Sequence, residues 1–121
     1  MIMIQLNHLS LSVPNVAETR AIFERYFGFT CETVKGDNII AVLKGAGDYT
    51  VVLTTQKEPE AYPKDFHFGF ILKTTTEVEE MHDLLTKGGQ QVDSGPKKIR
   101  DSYGFYFRIP GDILTEVSCP L

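Results

Sequence analysis

One pattern of secondary structure signals occurs twice along the chain. An alternating apolar segment that contains His8 begins the first half, and a similar segment that contains His67 begins the second half, 59 positions later. Glycines follow the two predicted helices at matching places, since Gly28 and Gly88 are 60 positions apart. A tandem duplication of this kind predicts an α+β fold made of two β-α-β-β-β modules. With 121 residues in total, both modules are expected to belong to a single domain.

The first module covers about residues 1–56. Its first strand, residues 8–13, alternates between an apolar and a polar face, which carry Leu9, Leu11 and Val13 on one side and His8, Ser10 and Ser12 on the other. Asn15, with Glu18 three positions later, predicts the start of a helix that ends at Phe27. Three further strands are predicted, at residues 29–34, 39–43 and 49–55.

The second module covers about residues 65–121 and follows the same plan. Its first strand spans residues 66–72, and Thr76 is the predicted cap of a helix. The buried stripe of that helix is expected to consist of Val78, Met81, Leu84 and Leu85. The remaining strands are predicted at residues 91–92, 104–109 and 113–119. Residues 97–100 are predicted to be a solvated basic loop, with an anion-binding loop as the alternative.

Composition limits the partners of this chain. Hydrophobic residues make up 42% of the sequence and the net charge is −4, so binding to nucleic acid or to an anionic membrane surface is not expected. No apolar stretch approaches the ~20 residues that cross a bilayer. Two cysteines without metal or disulfide spacing, and a start without a basic leader, favour a reducing cytoplasmic location.

Three side chains suggest metal chemistry. His8 and His67 occupy matching positions on the first strands of the two modules, on the face away from the apolar row. Glu116 lies in the last strand, on the same face as Leu114 and Ser118. If the modules form one curved mixed sheet, these three side chains converge in its concave space. Two imidazoles and one carboxylate suit a catalytic divalent ion such as Ni, Zn, Mn, Fe or Co.

Four segments resemble the vicinal oxygen chelate superfamily, which includes glyoxalase I, bleomycin-resistance proteins, extradiol dioxygenases and fosfomycin-resistance transferases. The segments are NHLSLSVPN at residues 7–15, IFERYFGF at 22–29, FHFGF at 66–70 and IPGDILTE at 109–116. The last segment departs at Ile109 and Asp112 from the usual Asp and Gly of the family turn. The resemblance implies the paired-module fold, a homodimer and a small-molecule substrate or ligand.

The same resemblance implies roles for single residues. His8, His67 and Glu116 match three metal-ligand positions of the family, and Glu116 is either a ligand or the catalytic base. The fourth ligand position of glyoxalase I falls near Val52, which cannot bind a metal. Tyr106, on the same face as Gly104 and Arg108, is a further candidate catalytic residue, with a packing role as the alternative.

Two classes of function therefore remain open. In the first, the chain is a metal-dependent lyase, isomerase or transferase that acts on a small oxygen-chelating substrate. A fosfomycin-type thiol transferase is one version of this class, in which Lys97, Lys98 or Arg100 meets a phosphonate. In the second, it is a metal-free binding protein of the bleomycin-resistance kind. The retained His, His and Glu favour the first class, and Val52 favours the second.

Overall fold

In the computed structural model, which describes residues 1–121, strand pairing divides between two units, Met1–Glu60 and Ala61–Leu121. The predicted α+β class is confirmed, and the first half has the predicted order β-α-β-β-β. The second half has the same order with one additional short strand. The first unit consists of β1 (His8–Val13), α1 (Val16–Phe27), β2 (Thr30–Lys35), β3 (Ile40–Lys44) and β4 (Thr50–Thr55). The second consists of β5 (His67–Ile71), α2 (Thr75–Lys87), β6 (Gln91–Val92), β7 (Lys97–Ile99), β8 (Ser102–Ile109) and β9 (Ile113–Pro120).

The two sheets have the same topology. The first has the strand order β1-β4-β3-β2, and the second has the order β5-β9-β8-β6, with β7 also paired to β8. In each sheet the first and last strands of the module are parallel neighbours, while the other pairs are antiparallel. That these units act as one domain, with modules at about residues 1–56 and 65–121, stays a prediction.

Helix α1 begins and ends where the sequence predicts. The Asn15 side chain accepts a hydrogen bond from the Glu18 backbone N–H at 2.9 Å, and this bond caps the first turn. Gly28 follows the last turn with φ of +68°, a left-handed conformation that glycine adopts without steric cost.

Helix α2 begins earlier than the sequence analysis predicts. Its N-cap is Thr74 and not Thr76, because Thr74 and Glu77 form a reciprocal capping box with bonds of 3.1 and 3.2 Å. Fewer residues of α2 are buried than the sequence analysis predicts. Val78 and Leu85 are fully buried, but Leu84 is 54% exposed.

Residues 97–99 are a strand and not the predicted solvated loop. They form β7, which pairs with the start of β8 through a hairpin in which Arg100 has a φ of +52°. Three residues are too few to display an alternating pattern, and charged side chains such as Lys97 and Lys98 are typical of sheet edges.

Each sheet packs one face against the helix of its own unit. In the first unit this core contains Leu11, Val13, Leu43, Leu53, Ile22 and Phe23. In the second unit it contains Phe105, Phe107, Ile113, Val117, Val78 and Leu85. Side chains alternate across a strand, so the opposite face of each sheet carries the residues between these core positions, among them His8 in the first sheet and Glu116 in the second. No helix is long and apolar enough to span a membrane.

Candidate functional site

The polar face of the second sheet carries three of the predicted site residues. Glu116 on β9 pairs with Tyr106 on β8, and with Gly69 on β5. Paired residues of neighbouring strands project to the same side, and His67 lies two positions before Gly69 on the same strand. His67, Tyr106 and Glu116 therefore share this face. The rings of His67 and Tyr106 meet nearly at right angles, with centroids 6.1 Å apart.

Two hydroxyl groups hold the Glu116 carboxylate. Ser118 Oγ donates a hydrogen bond to Glu116 Oε2 at 2.8 Å, and the Tyr106 hydroxyl also bonds to the carboxylate. Hydrogen bonds to a charged acceptor are stronger than those between neutral groups, so they fix the orientation of this side chain. Ser118 is a residue that the sequence analysis placed on this face without a role. The signal was available, since residues two positions apart on a strand are neighbours on one face.

The Tyr106 hydroxyl keeps its proton at neutral pH. Burial raises the pKa of Tyr106 above its usual 10.0, and the hydrogen bond to Glu116 and its negative charge raise the pKa further. The positive charge of Arg100 has the opposite, smaller effect on this pKa. Tyr106 is therefore a hydrogen-bond donor throughout the physiological pH range.

Beside Glu116, position 69 is occupied by glycine. A Cβ at Gly69 would lie 3.2 Å from both the Cβ and the backbone oxygen of Glu116, closer than side chains normally approach. The absence of a side chain leaves the carboxylate uncovered on the β5 side. Ile71, the next residue of this face on β5, is exposed.

The hydrogen bond of His67 identifies its free nitrogen. His67 Nδ1 lies 3.1 Å from the backbone oxygen of Asp65. A carbonyl oxygen can only accept a hydrogen bond, so Nδ1 carries the proton and Nε2 retains its lone pair. A metal-binding histidine is generally oriented in this way, with its other ring nitrogen donating to an oxygen acceptor.

His8 has the same arrangement in the first unit. Its Nδ1 lies 2.8 Å from the side-chain oxygen of Asn7, which again leaves Nε2 with a lone pair. His8 is exposed, and it lies on the polar face of the first sheet with Ser10 and Ser12.

Val52 pairs with Ser10 and so shares this face. The position at which glyoxalase I is expected to have its fourth ligand is therefore apolar here.

His82 differs from the other two histidines. It is half-buried, its ring packs edge-on against Phe105 at 5.0 Å, and its Nε2 donates to the backbone oxygen of Ser94 at 3.1 Å. His82 therefore has a structural role, because it joins helix α2 to the segment before β7.

Neither unit by itself brings together three His, Cys, Asp or Glu side chains at metal-binding distances. The convergence of His8 with His67 and Glu116 stays a prediction.

A groove of about 620 Å³ lies in the first unit, at the end of β1 opposite to His8. Its lining residues are Ser12, Ile39, Ile40, Thr54, Thr55, Gln56, Lys57, Glu58 and Glu60.

Comparison with known proteins gives the family. A solved structure described as a possible glyoxalase from Bacillus cereus is 34% identical, with a TM-score of 0.86 over 97% of this chain and 100% of that one. A fosfomycin resistance protein from Listeria monocytogenes is 16% identical, with a TM-score of 0.82 over 99% of this chain and 96% of that one. A lactoylglutathione lyase from Agrobacterium tumefaciens is 19% identical, with a TM-score of 0.75 over 95% of this chain and 92% of that one.

The last two similarities are similarities of fold alone. No curated protein sequence matches the chain. The family model for the glyoxalase/bleomycin resistance protein/dioxygenase superfamily matches residues 5–117, which is nearly the whole sequence. The family resemblance seen in the sequence is therefore confirmed, and the chain belongs to the glyoxalase/bleomycin resistance protein/dioxygenase superfamily.

Proposed function

We propose that this protein is a divalent-metal-dependent enzyme that acts on a small molecule with two adjacent oxygen atoms, in a lyase, isomerase or related reaction. The proposed ligands are His8, His67 and Glu116. The observation that carries the proposal is the matched state of the two histidines. Each holds its Nδ1 proton on an oxygen acceptor and presents Nε2 as a free lone pair.

The donor atoms fit a divalent transition metal. Two neutral imidazole nitrogens and a carboxylate suit Zn, Ni, Mn, Fe or Co, and the set leaves coordination positions for a substrate. Such an ion, when bound, would polarise the substrate oxygens. The hydrogen bonds from Ser118 and Tyr106 to Glu116 support this assignment, because an oriented carboxylate needs less reordering to bind a cation.

The proposed catalytic residues are Glu116 and Tyr106. A carboxylate at Glu116 can accept a proton from a substrate carbon next to a carbonyl group. Tyr106 keeps its own proton on Oη, and in the reaction it would turn this proton from Glu116 to a substrate oxygen on which negative charge develops. The ring of His67 meets that of Tyr106 nearly at right angles, so the proposed ligand and the proposed donor are neighbours on this face.

We further propose a cytoplasmic homodimer that binds a small molecule and neither nucleic acid nor membrane. The two free cysteines support a reducing location. The net charge of −4 supports the absence of a polyanionic partner.

A metal-free binding protein is the alternative function. Val52 supports it, because this apolar side chain on the polar face of β4 replaces the expected fourth ligand. In that case the polar faces would bind an antibiotic or a metabolite by shape and hydrogen bonding, without catalysis.

Metal content separates the two functions. Untagged protein is purified without chelators and compared with His8→Ala, His67→Ala and Glu116→Gln variants, with His82→Ala as the matched histidine control. We expect about one metal ion per chain in the parent and in the His82 variant. The metal affinity of the three ligand variants should be about 10-fold to 100-fold lower than that of the parent, because each variant loses a donor atom or its charge.

A second readout does not depend on loading during expression. The thermal midpoint of the metal-stripped parent should rise when zinc or nickel is added, and that of the ligand variants should not. A parent that holds no metal and shows no shift with any of the five ions would overturn the enzyme proposal. Antibiotics and metabolites would then be tested as ligands. If the parent does bind a metal, hemithioacetals, catechols and epoxide phosphonates are the first substrates to test.

A further inference from the structure

The residue before His8 makes two hydrogen bonds, one through its backbone and one through its side chain. The backbone oxygen of Asn7 accepts a hydrogen bond from the Thr50 N–H at 2.9 Å, which ties Asn7 to the start of β4. Its side-chain oxygen lies 2.8 Å from His8 Nδ1. The backbone bond does not depend on the type of side chain. Substitution of Asn7 therefore removes the contact with His8 and keeps the contact with Thr50.

Packing does little to orient the ring of His8. This side chain is exposed at the first position of β1, so no core contact holds it. A neutral imidazole carries one proton, which can lie on either ring nitrogen. The hydrogen-bond partner at one nitrogen then decides which nitrogen keeps a lone pair. For His8 that partner is the side chain of Asn7.

The other two histidines are fixed in a different way. The partners of His67 and His82 are backbone oxygens, at 3.1 Å in both cases. A backbone oxygen only accepts a hydrogen bond, and no substitution removes it. The amide of Asn7 has an oxygen acceptor and an NH₂ donor, so it selects the proton position less strictly than a carbonyl or a carboxylate. Among the three histidines of the chain, His8 is the one whose free nitrogen is set by a side chain.

We propose that Asn7 is a positioning residue of the candidate metal site, which keeps the proton of His8 on Nδ1 and so presents Nε2 to a divalent ion. The inference rests on the proposed function and adds that the strength of its first-unit ligand is set at position 7. Alanine at this position would offer no acceptor. A carboxylate would accept from Nδ1 with no donor as an alternative, and its charge would strengthen the ring as a ligand.

The test is the proton position of each histidine in metal-free protein. A multiple-bond proton–nitrogen correlation spectrum distinguishes Nδ1–H from Nε2–H rings, and alkaline buffer keeps the rings neutral. The parent is compared with Asn7→Ala and Asn7→Asp, and with Gln5→Ala as the control that removes an exposed amide from the same segment. We expect an Nδ1–H ring at His8 in the parent, in the control and in Asn7→Asp.

The Asn7→Ala variant should differ from these three proteins. Its population of the Nε2–H form of His8 should rise, because no acceptor is left at Nδ1. The signals of His67 and His82 should be the same in all four proteins, since their partners are unchanged. The thermal midpoint without metal should also stay at that of the parent, because the bond from Thr50 to the backbone is retained.

Zinc affinity is the second readout, measured by competition with a coloured chelator. Asn7→Ala should bind zinc about 10-fold to 100-fold more weakly than the parent, and Asn7→Asp should bind it more tightly. Gln5→Ala should bind it as the parent does. In the proposed site Asn7 is not itself a ligand, so a loss of this size reports the state of His8.

An unchanged Nδ1–H ring at His8 in Asn7→Ala overturns the proposal, as does equal zinc affinity of this variant and the parent. Loss of the folded spectrum in both Asn7 variants also overturns it, because the side chain would then be needed for the fold. A parent that binds no zinc or other divalent ion overturns the proposed function instead. In that case the proton position at His8 still decides whether Asn7 selects the free nitrogen.

Discussion

The imidazole of His67 donates its Nδ1 proton to the carbonyl of Asp65, and this contact decides which ring nitrogen is available to a cation. His8 reaches the same state through the side chain of Asn7. His82 uses the opposite nitrogen to hold Ser94, so its Nε2 is already occupied. Hydrogen-bond partners, rather than residue type, therefore distinguish the candidate ligands from the structural histidine.

We predict that the pKa of Tyr106 is higher than that of a free tyrosine. Its pKa is raised from 10.0 by burial and by Glu116, and Arg100 counteracts part of this shift. Glu116→Gln should therefore lower the pKa of Tyr106, while Arg100→Ala should raise it further. The measurement is the ultraviolet absorbance of the phenolate, taken as the difference between each protein and the same protein with Tyr106→Phe. Equal titration curves in all three backgrounds would contradict the prediction.

The same shift fixes the sign of a pH effect on stability. The folded state holds the Tyr106 proton more tightly than the unfolded state, so its contribution to stability is fully present below pH 10.0. That contribution is lost as the pH rises through the folded pKa. In urea unfolding, the loss of stability between neutral and strongly alkaline pH should be smaller in Tyr106→Phe than in the parent.

Among the elements, helix α2 gives a direct comparison between two threonines. Thr74 caps the helix with Glu77, whereas Thr76 is an exposed residue of its first turn. We predict that Thr74→Ala lowers the free energy of unfolding by about 1 kcal/mol. Thr76→Ala should change it by less than about 0.5 kcal/mol, because alanine is a good helix former at an exposed position. Urea denaturation measures both, and a larger effect at Thr76 would contradict the structure.

The pairing of β8 with β9 depends on Gly104. A Cβ at this position would overlap the backbone oxygen of Val117 and lie 2.5 Å from the Cβ of Ser118. Backbone cannot yield as a flexible side chain does, so Gly104→Ala should cost about 1–3 kcal/mol of unfolding free energy.

Gly95→Ala is the matched control for this strand pairing. A Cβ at Gly95 meets nothing within 4 Å, and its φ is not in the left-handed region. This substitution should leave the unfolding free energy within about 1 kcal/mol of the parent. Similar costs at both glycines in urea denaturation would show that β8 and β9 are not as close as the structure places them.

At the scale of the whole molecule, the two cysteines report on different parts of the chain. Cys31 on β2 is half-buried, while Cys119 on β9 is 1% exposed. We predict that an aromatic disulfide reagent for thiols modifies only Cys31 in the native protein, which is one thiol per chain. The Cys31→Ser substitution should abolish this reaction. Cys119 should react only as urea unfolds the second unit. Two thiols that react at the same rate in the native protein would contradict the burial of Cys119.

The sequence by itself determined most of the elements and their faces, apart from the start of α2 and strand β7. Period-2 alternation placed His8 and Glu116 on the polar faces, and the matched helix ends revealed the duplication. These signals are local, because a strand alternates and a helix is capped within a few residues. The family followed from the same segments.

Only the tertiary structure decided which side chains meet. The bonds of Ser118 and Tyr106 to Glu116 and the effect of Arg100 on Tyr106 depend on strand register, which joins residues distant along the chain. Strand β7 exists because β8 is there to pair with it. The nitrogen that each histidine presents was fixed by an oxygen placed beside its ring, and no alternation of residue types contains that information.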